Sequence, residues 1–365
     1  MDSRRSTRGD DLPLERFVRS EKGSDPEPPL LTTPPRRRGA VAETVRTVWL
    51  VMRANPLTLL GFLVVVVMVV TALVVGLTPI LTHLLLGHSL SATPYPVNSF
   101  STSDASQGPS PRHWMGTDSI GTDIFSQVLA ALPLDLVIAF SVAGIALVAG
   151  GTLGIIAGYF DTPGTLGGAG ATIILRVTDV FLAFPSLVLA LAVAASLGRG
   201  TEAAVIALLV TWWPYYVRLA RGEVLAVRHL PYITAARAAG VTDGTILGRH
   251  VLRNILEPLV VYYTLDVGTV LVTFSTISYV GIGVPFGVPE WGNMIEQYAG
   301  YLATLPWTVV GPGLAVFVTV LGFSLLGDGL RDILDPRSRR ILSQGPAVDS
   351  TSAAPIAAPA AGEKA

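Results

Sequence analysis

Apolar residues in this chain gather into long, nearly unbroken runs, and six runs suffice to cross a bilayer at roughly 20 residues per crossing. They lie at about 57–80, 133–159, 172–196, 203–221, 258–279 and 307–327, which predicts an all-α, polytopic membrane protein with six transmembrane helices. The first run, LTLLGFLVVVVMVVTALVVGLTPI, carries no charge. The third contains Pro185, predicted to kink the span or to widen a cavity beside it. The fourth is the shortest: its uncharged stretch Ala203–Val217 holds Pro214, and the helix is expected to continue into water through Arg218, Arg221 and Glu223. The fifth contains a carboxylate, Asp266.

Between the fourth and fifth runs lies Tyr232–Asn254, about as long as a span and too charged to be one. Tyr232–Ala239 is Ala-rich and favours helix. Gly240 offers a C-cap position with positive φ, and Asp243 reads as the N-cap of a second helix. There Ile246, Leu247, His250, Val251, Asn254 and Ile255 recur at helical spacing. Small side chains at the bend would let another surface approach the backbone, so the segment reads either as a knob for a partner's groove or as an ordinary amphipathic connector.

The flanks differ in composition. Residues 1–46 are polar and rich in Pro, Arg and acidic groups, with no early apolar core, so they read as a disordered tail and not a signal peptide. Val41–Arg53 patterns as a short surface helix. Residues 338–365 read as a second disordered tail, leaving 47–337 as the membrane domain.

Overall the chain is 14% charged with a mean hydropathy of +0.56, against about 25% charged in soluble domains. It has no cysteine, which removes disulfides and thiolate chemistry. Lysine occurs only at Lys22 and Lys364, and no G-x-x-x-x-G-K stretch is present, so any ATP hydrolysis would belong to another chain. With both termini inside, all but two of the 25 basic residues, Arg112 and Arg199, fall on the cytoplasmic side. That places Tyr232–Asn254 in the cytoplasm and puts His83–Leu132 and Gly281–Pro306 outside. Net charge is near zero, and nucleic acid is not expected among the partners.

Other candidates are isolated. Gly150, Gly154 and Gly158 form a small-residue face suited to helix packing. Asp266 either lines a route or pairs within the bundle with an arginine or a backbone group. Asp135 and Asp179 lie near span ends and read as interfacial. His83, His88 and His113 could suit nickel, yet their spacing fits solvated loop residues better, and Asp118 and Asp123 fit loop capping. His229 and His250 read as packing or hydrogen-bonding residues, and no metal or other cofactor is expected. An intramembrane enzyme lacks its motifs here: H-E-x-x-H is absent and Gly327-Asp328-Gly329 does not fit G-x-G-D. A stand-alone secondary transporter would show inverted repeats and several buried charges, which the sequence does not display.

Nine motifs in order carry a resemblance. Thr234-Ala235-Ala236-Arg237-Ala238-Ala239-Gly240 followed by His250-Val251-Leu252-Arg253-Asn254 resembles the E-A-A-x-x-x-G … H-I-L-P-N loop of ATP-binding-cassette importer permeases. His113-Trp114-Met115-Gly116-Thr117-Asp118 with Gly121-Thr122-Asp123 resembles the outer segment of the dipeptide/oligopeptide/nickel class. Ala157–Phe160, Arg176–Asp179, Ala183–Pro185, Arg221–Leu225, Trp291–Met294 and Leu326–Asp332 follow in that family's order, over roughly residues 47–337. Thr234 stands where the family has Glu, Arg253 where it has Pro, Thr122 where it has Arg, and Trp114 where it has Pro. The Arg253 departure should let the second helix run on into the fifth span.

The resemblance implies the type I importer permease fold and no catalysis on this chain. It implies a second permease, cytoplasmic ATPases, an extracytoplasmic binding protein and membrane lipid as partners. It implies an ATPase-coupling loop at 222–256 bearing Thr234, Ala235, Ala236, Gly240, Asp243, Ile246, His250 and Asn254. The outer-loop motif is Gly116, Thr117, Asp118, Gly121 and Asp123, and Asp266 and Pro185 are pathway candidates. Di- or oligopeptides are the expected cargo, with nickel, glutathione-like molecules and opines as alternatives in the same architecture.

Overall fold

The computed structural model describes residues 55–97 and 99–334, so both expected tails and the Val41–Arg53 surface helix lie outside the described residues. The described chain is helical: α1 (Pro56–Leu86), α2 (Ile124–Tyr159), α3 (Leu166–Leu182), α4 (Ser186–Leu197), α5 (Thr201–Val227), α6 (Pro231–Ala238), α7 (Asp243–Tyr279), α8 (Trp291–Tyr298) and α9 (Trp307–Leu334). Five of these helices are long and apolar enough to cross a membrane, and α3 with α4 makes a sixth, bent by 87°. Pro185, at the break, cannot supply a backbone N–H and sets the N-cap of α4.

Two span boundaries shift. Helix α2 starts at Ile124, nine residues before the expected span, because Asp123 caps it by accepting the Ser126 N–H at 2.8 Å. At 36 residues it extends about 54 Å, well beyond a hydrocarbon core of about 30 Å. Asp135 lies in the first part of α2, buried in the protein, where it accepts the Trp291 N–H at 3.2 Å. Helix α7 runs without interruption from the polar segment into the fifth span, as Arg253 in place of proline allows.

Lipid tails are as apolar as leucine, so helices in a bilayer associate through close packing and not through a hydrophobic drive. The α2–α5 pair meets this need with three glycines one turn apart. A Cβ on Gly150 would lie 2.2 Å from Trp213 O, one on Gly154 2.5 Å from Val217 O, and one on Gly158 2.9 Å from Val224 Cβ. The glycine face thus packs within the chain. At α1–α9, Gly61 faces Leu325 and Gly322 faces Val64 in the same way. The central core comprises α2, α5, α7 and α9 side chains such as Ile138, Leu208, Leu271 and Phe323. Helix α1, by contrast, leaves most of its apolar length exposed for lipid or partners.

At the end of the bundle where α2 begins, residues 88–123 fold on themselves. Asp118 accepts from the N–H groups of Ile120 (2.9 Å) and Thr122 (2.8 Å), closing a turn. Gly121, at φ +86°, presses against the Ser101 backbone so closely that no side chain would fit.

Gly154→Val should drive a branched side chain into the Val217 backbone and cost roughly 1–3 kcal/mol. The expected outcome is a lowered thermal midpoint in detergent. Gly222→Ala, at a helical glycine with no neighbour within 4 Å, should leave it unchanged.

Candidate functional site

The segment after α5 folds at the arginine-rich end of the bundle as a small packed body. Pro231 starts α6, where its missing N–H costs nothing. Only Ile233 of α6 is fully buried; Thr234, Ala235 and Ala238 face outward. Gly240 adopts φ +76°, with its N–H on Arg237 O (3.1 Å) and the Val241 N–H on Ala236 O (3.1 Å), a Schellman ending. The predicted glycine turn is present.

The second helix differs from expectation in two ways. Thr242, not Asp243, holds the N-cap position, and Asp243 is the first helical residue. Residues Ile246–Val251 are π-helical before α geometry resumes at Leu252. The wider turn has a consequence: Ile246 and Val251, five residues apart, both point inward with Ile255 and Leu259. Together with Ile233, Ala220, Val224 and Tyr159 they form a second core that seats the loop on the ends of α2 and α5. His250 lies 6.4 Å from the Tyr232 ring, and Asn254 donates to His250 O.

Tyr159 is the residue that sequence reasoning missed. Its hydroxyl donates to Asp243 Oδ1 (2.5 Å), and the Arg237 guanidinium stacks 5.6 Å from its ring centroid. The last residue of α2 therefore holds both halves of the loop. Its sequence signals are membership of the Ala157–Phe160 motif and its place at the end of an apolar run, and neither points to the loop.

The other named residues fall elsewhere. Gly116, Thr117, Asp118, Gly121 and Asp123 come together at the opposite end as a clamp on α8 and α9. Tyr298 OH donates to Asp118 Oδ2 at 2.9 Å, and Trp307 Nε1 donates to Thr117 O at 2.9 Å. His113 is not a solvated loop residue: it is buried, with Nδ1 donating to Asp123 Oδ1 at 2.9 Å and Tyr95 packed on its ring. His83 and His88 are exposed, and among the described residues no three His, Cys, Asp or Glu gather as a metal site.

Asp266 is 6% exposed, and its Oδ2 accepts from Trp212 Nε1 (2.9 Å) and Tyr216 OH (2.8 Å), not from an arginine or the backbone. Asp179 pairs with Arg218 at 2.8 Å with both side chains about half exposed. Glu290, also missed, is fully buried and accepts the Gly292 (2.8 Å) and Asn293 (2.7 Å) N–H groups that begin α8. Burial holds its carboxyl above the ordinary glutamate range, and those N–H bonds oppose the shift.

Five long apolar helices and one broken pair, with a loop packed on the ends of two of them, are the architecture of a multi-pass membrane protein. The profile of the family described as "Binding-protein-dependent transport system inner membrane component" matches residues 150–340. The dipeptide transport system permease protein DppC of Alkalihalophilus pseudofirmus is 35% identical over 314 residues, covering 86% of this chain and 96% of the relative. The glutathione transport system permease protein GsiD of Pectobacterium atrosepticum is 39% identical over 240 residues, covering 66% and 78%. The probable D,D-dipeptide transport system permease protein DdpC of Escherichia coli is 39% identical over 230 residues, covering 63% and 75%.

Among solved structures, an inward-facing MetNI methionine ABC transporter chain aligns over 57% of this chain and 95% of that one, at 20% identity and a TM-score of 0.46. The chain belongs to the binding-protein-dependent importer permeases. It is a membrane subunit of an ATP-binding-cassette importer, a transport component and not an enzyme.

Tyr159→Phe removes the donor to Asp243, a hydrogen bond to a charged but exposed partner worth about 1 kcal/mol. Hydrogen exchange at residues 231–251 should quicken while the helices of the bundle keep their protection.

Proposed function

We propose that this chain is one of two permeases forming the route by which an ATP-driven importer carries di- or oligopeptides across the plasma membrane. The observation that carries the reading is the raised loop itself. Helix α6, the Gly240 turn and the start of α7 form an outward-facing element, seated on the ends of α2 and α5 by a core that it shares with Tyr159, Ala220 and Val224. A knob seated in this way can transmit a push to the helices it rests on, as a flexible connector cannot. In this reading Thr234 and Ala235 face a groove of a cytoplasmic ATPase, with Ala236, Gly240, Asp243, Ile246, His250 and Asn254 holding the shape. ATP-driven closure of the ATPase pair then moves α2 and α5 through the seat and biases the bundle between two access states. Both termini and the loop lie in the cytoplasm, in keeping with the arginine placement.

The peptide cargo rests on the relatives: DppC and DdpC are named for dipeptides, and GsiD for glutathione, itself a small peptide. A binding protein on the outer side delivers the cargo, and residues 88–123 with α8 are the surface offered to it. Glutathione is the second reading, supported by GsiD at 39% identity.

Gly240→Val places a β-branched residue at φ +76°, at about 1–2 kcal/mol of backbone strain. In vesicles holding the whole transporter, ATP hydrolysis should persist while peptide uptake falls severalfold; undiminished uptake would remove the coupling role. Asp266 and Pro185 are proposed to border the route. Asp266→Asn keeps an acceptor for Trp212 and Tyr216 but loses the charge, so uptake should shift in preference between cationic and neutral peptides. Equal uptake of both, at normal expression, would leave Asp266 a packing residue.

A further inference from the structure

At the arginine-rich end, a recess of about 510 Å³ lies between the α2–α3 turn, the end of α5 and the raised loop. Tyr159, Thr162, Thr165, Arg228, Arg237 and Asp243 line it. Its charges are unbalanced, and neighbouring arginines show how. Arg218 and Arg221 on α5 each meet a carboxylate at 2.8 Å, Asp179 and Asp161 respectively.

Among the described residues, Arg228 and Arg237 meet none. Among the described residues, Arg228 donates through Nη1 to two backbone carbonyls, Gly158 O (2.9 Å) and Asp161 O (3.2 Å), and through Nε to His229 Nε2 (2.9 Å). These contacts hold the guanidinium in place without neutralising it. Arg237 rests on the Tyr159 ring. The one carboxylate on the recess, Asp243, is taken up by the Tyr159 hydroxyl. Among the described residues, two guanidiniums without a carboxylate partner thus share one polar hollow.

The position of the hollow matters as much as its charge. It opens where α2 ends and α3 begins, at the turn between two apolar helices. Beside it Leu166, 95% exposed, presents an apolar flank next to Thr165 and Gly167 of the lining. Polar donors over an apolar flank suit a phosphate that carries acyl chains. Basic hollows on the cytoplasmic side of membrane proteins attract anionic headgroups, and guanidiniums match the several acceptor oxygens of a phosphate.

We propose that this recess is a phosphate-binding site, gripped by Arg228 and Arg237 and filled by the headgroup of an anionic phospholipid or by free phosphate. Because Arg228 ends α5 and Arg237 belongs to α6, a bound phosphate ties the raised loop to the bundle at a second point, beside the Tyr159–Asp243 bond. Leaflet charge then sets how firmly the coupling element is held. The proposal rests on the cytoplasmic placement of this end.

The test uses the assembled transporter, with both permeases and its ATPases, extracted from bilayers of phosphatidylcholine with or without phosphatidylglycerol. Native mass spectrometry should show one phosphatidylglycerol retained per copy of this chain. Its retention should fall about tenfold in Arg237→Gln, whose exposed side chain makes a mild substitution, and be unaffected in Arg249→Gln. Unchanged thermal midpoints identify the loss as binding and not unfolding. Displacement by millimolar inorganic phosphate alone identifies free phosphate as the natural occupant; insensitivity to it identifies the lipid.

Equal retention in both variants and the parent, or phosphatidylcholine retained as well as phosphatidylglycerol, would overturn the site. So would a recess shielded only when the ATPases are attached, which would assign it to an acidic side chain of the ATPase. The orientation is checked separately: Gly248→Cys labelled by an impermeant reagent from the outer side would overturn the placement and leave lipid retention to be read independently.

Discussion

The close approach of α2 and α5 through Gly150, Gly154 and Gly158 is the constraint on which the rest depends. In a bilayer, apolar side chains gain nothing by leaving lipid for protein, so packing distance does the work that burial does in water. Three glycines let the α5 backbone lie against α2 at Trp213, Val217 and Val224. That contact aligns the ends of the two helices, so Tyr159 and Val224 stand side by side under the loop. A wider crossing would part the seat from which α6 and the start of α7 rise. Helix packing in the lipid and loop geometry outside it are therefore one structural problem.

Polar groups inside the bundle follow the same logic. Asp266 is held by Trp212 and Tyr216, both from α5, so the α5–α7 contact is bound by hydrogen bonds as well as by shape. Glu290 and Asp135 take three successive N–H groups at the start of α8, fastening that short helix to the span it crosses. In a medium without water such groups need partners: Glu290 finds them in the helix it caps, whereas Asp135 and Asp266 find them on other helices. Those two carboxylates thereby record which helices touch.

Much of this was legible beforehand. Long apolar runs announce spans because only a helix satisfies its own backbone in lipid, and all six runs proved helical. The glycine turn at Gly240 was readable because positive φ admits few other residues. Less readable were features whose cause lies elsewhere in the chain. The π-helical turn at Ile246–Val251 appears as ordinary helical periodicity, yet it is selected by the need to bury Ile246 and Val251 together against α2 and α5. Asp243 looks like a cap in isolation; Tyr159, 84 residues away, claims its carboxylate instead. His113 looks like a loop residue until the fold buries it against Asp123.

The sequence by itself determined which stretches form the long apolar helices, the helix–glycine–helix form of the loop and, through nine ordered motifs, the family. These are local or periodic properties, dictated by backbone chemistry in lipid and by the permitted φ of single residues. Tertiary structure alone decided the partners of Asp266, the burial of His113 and the hub at Tyr159. Each of those depends on which surfaces meet across tens of residues, and no short-range rule carries that information.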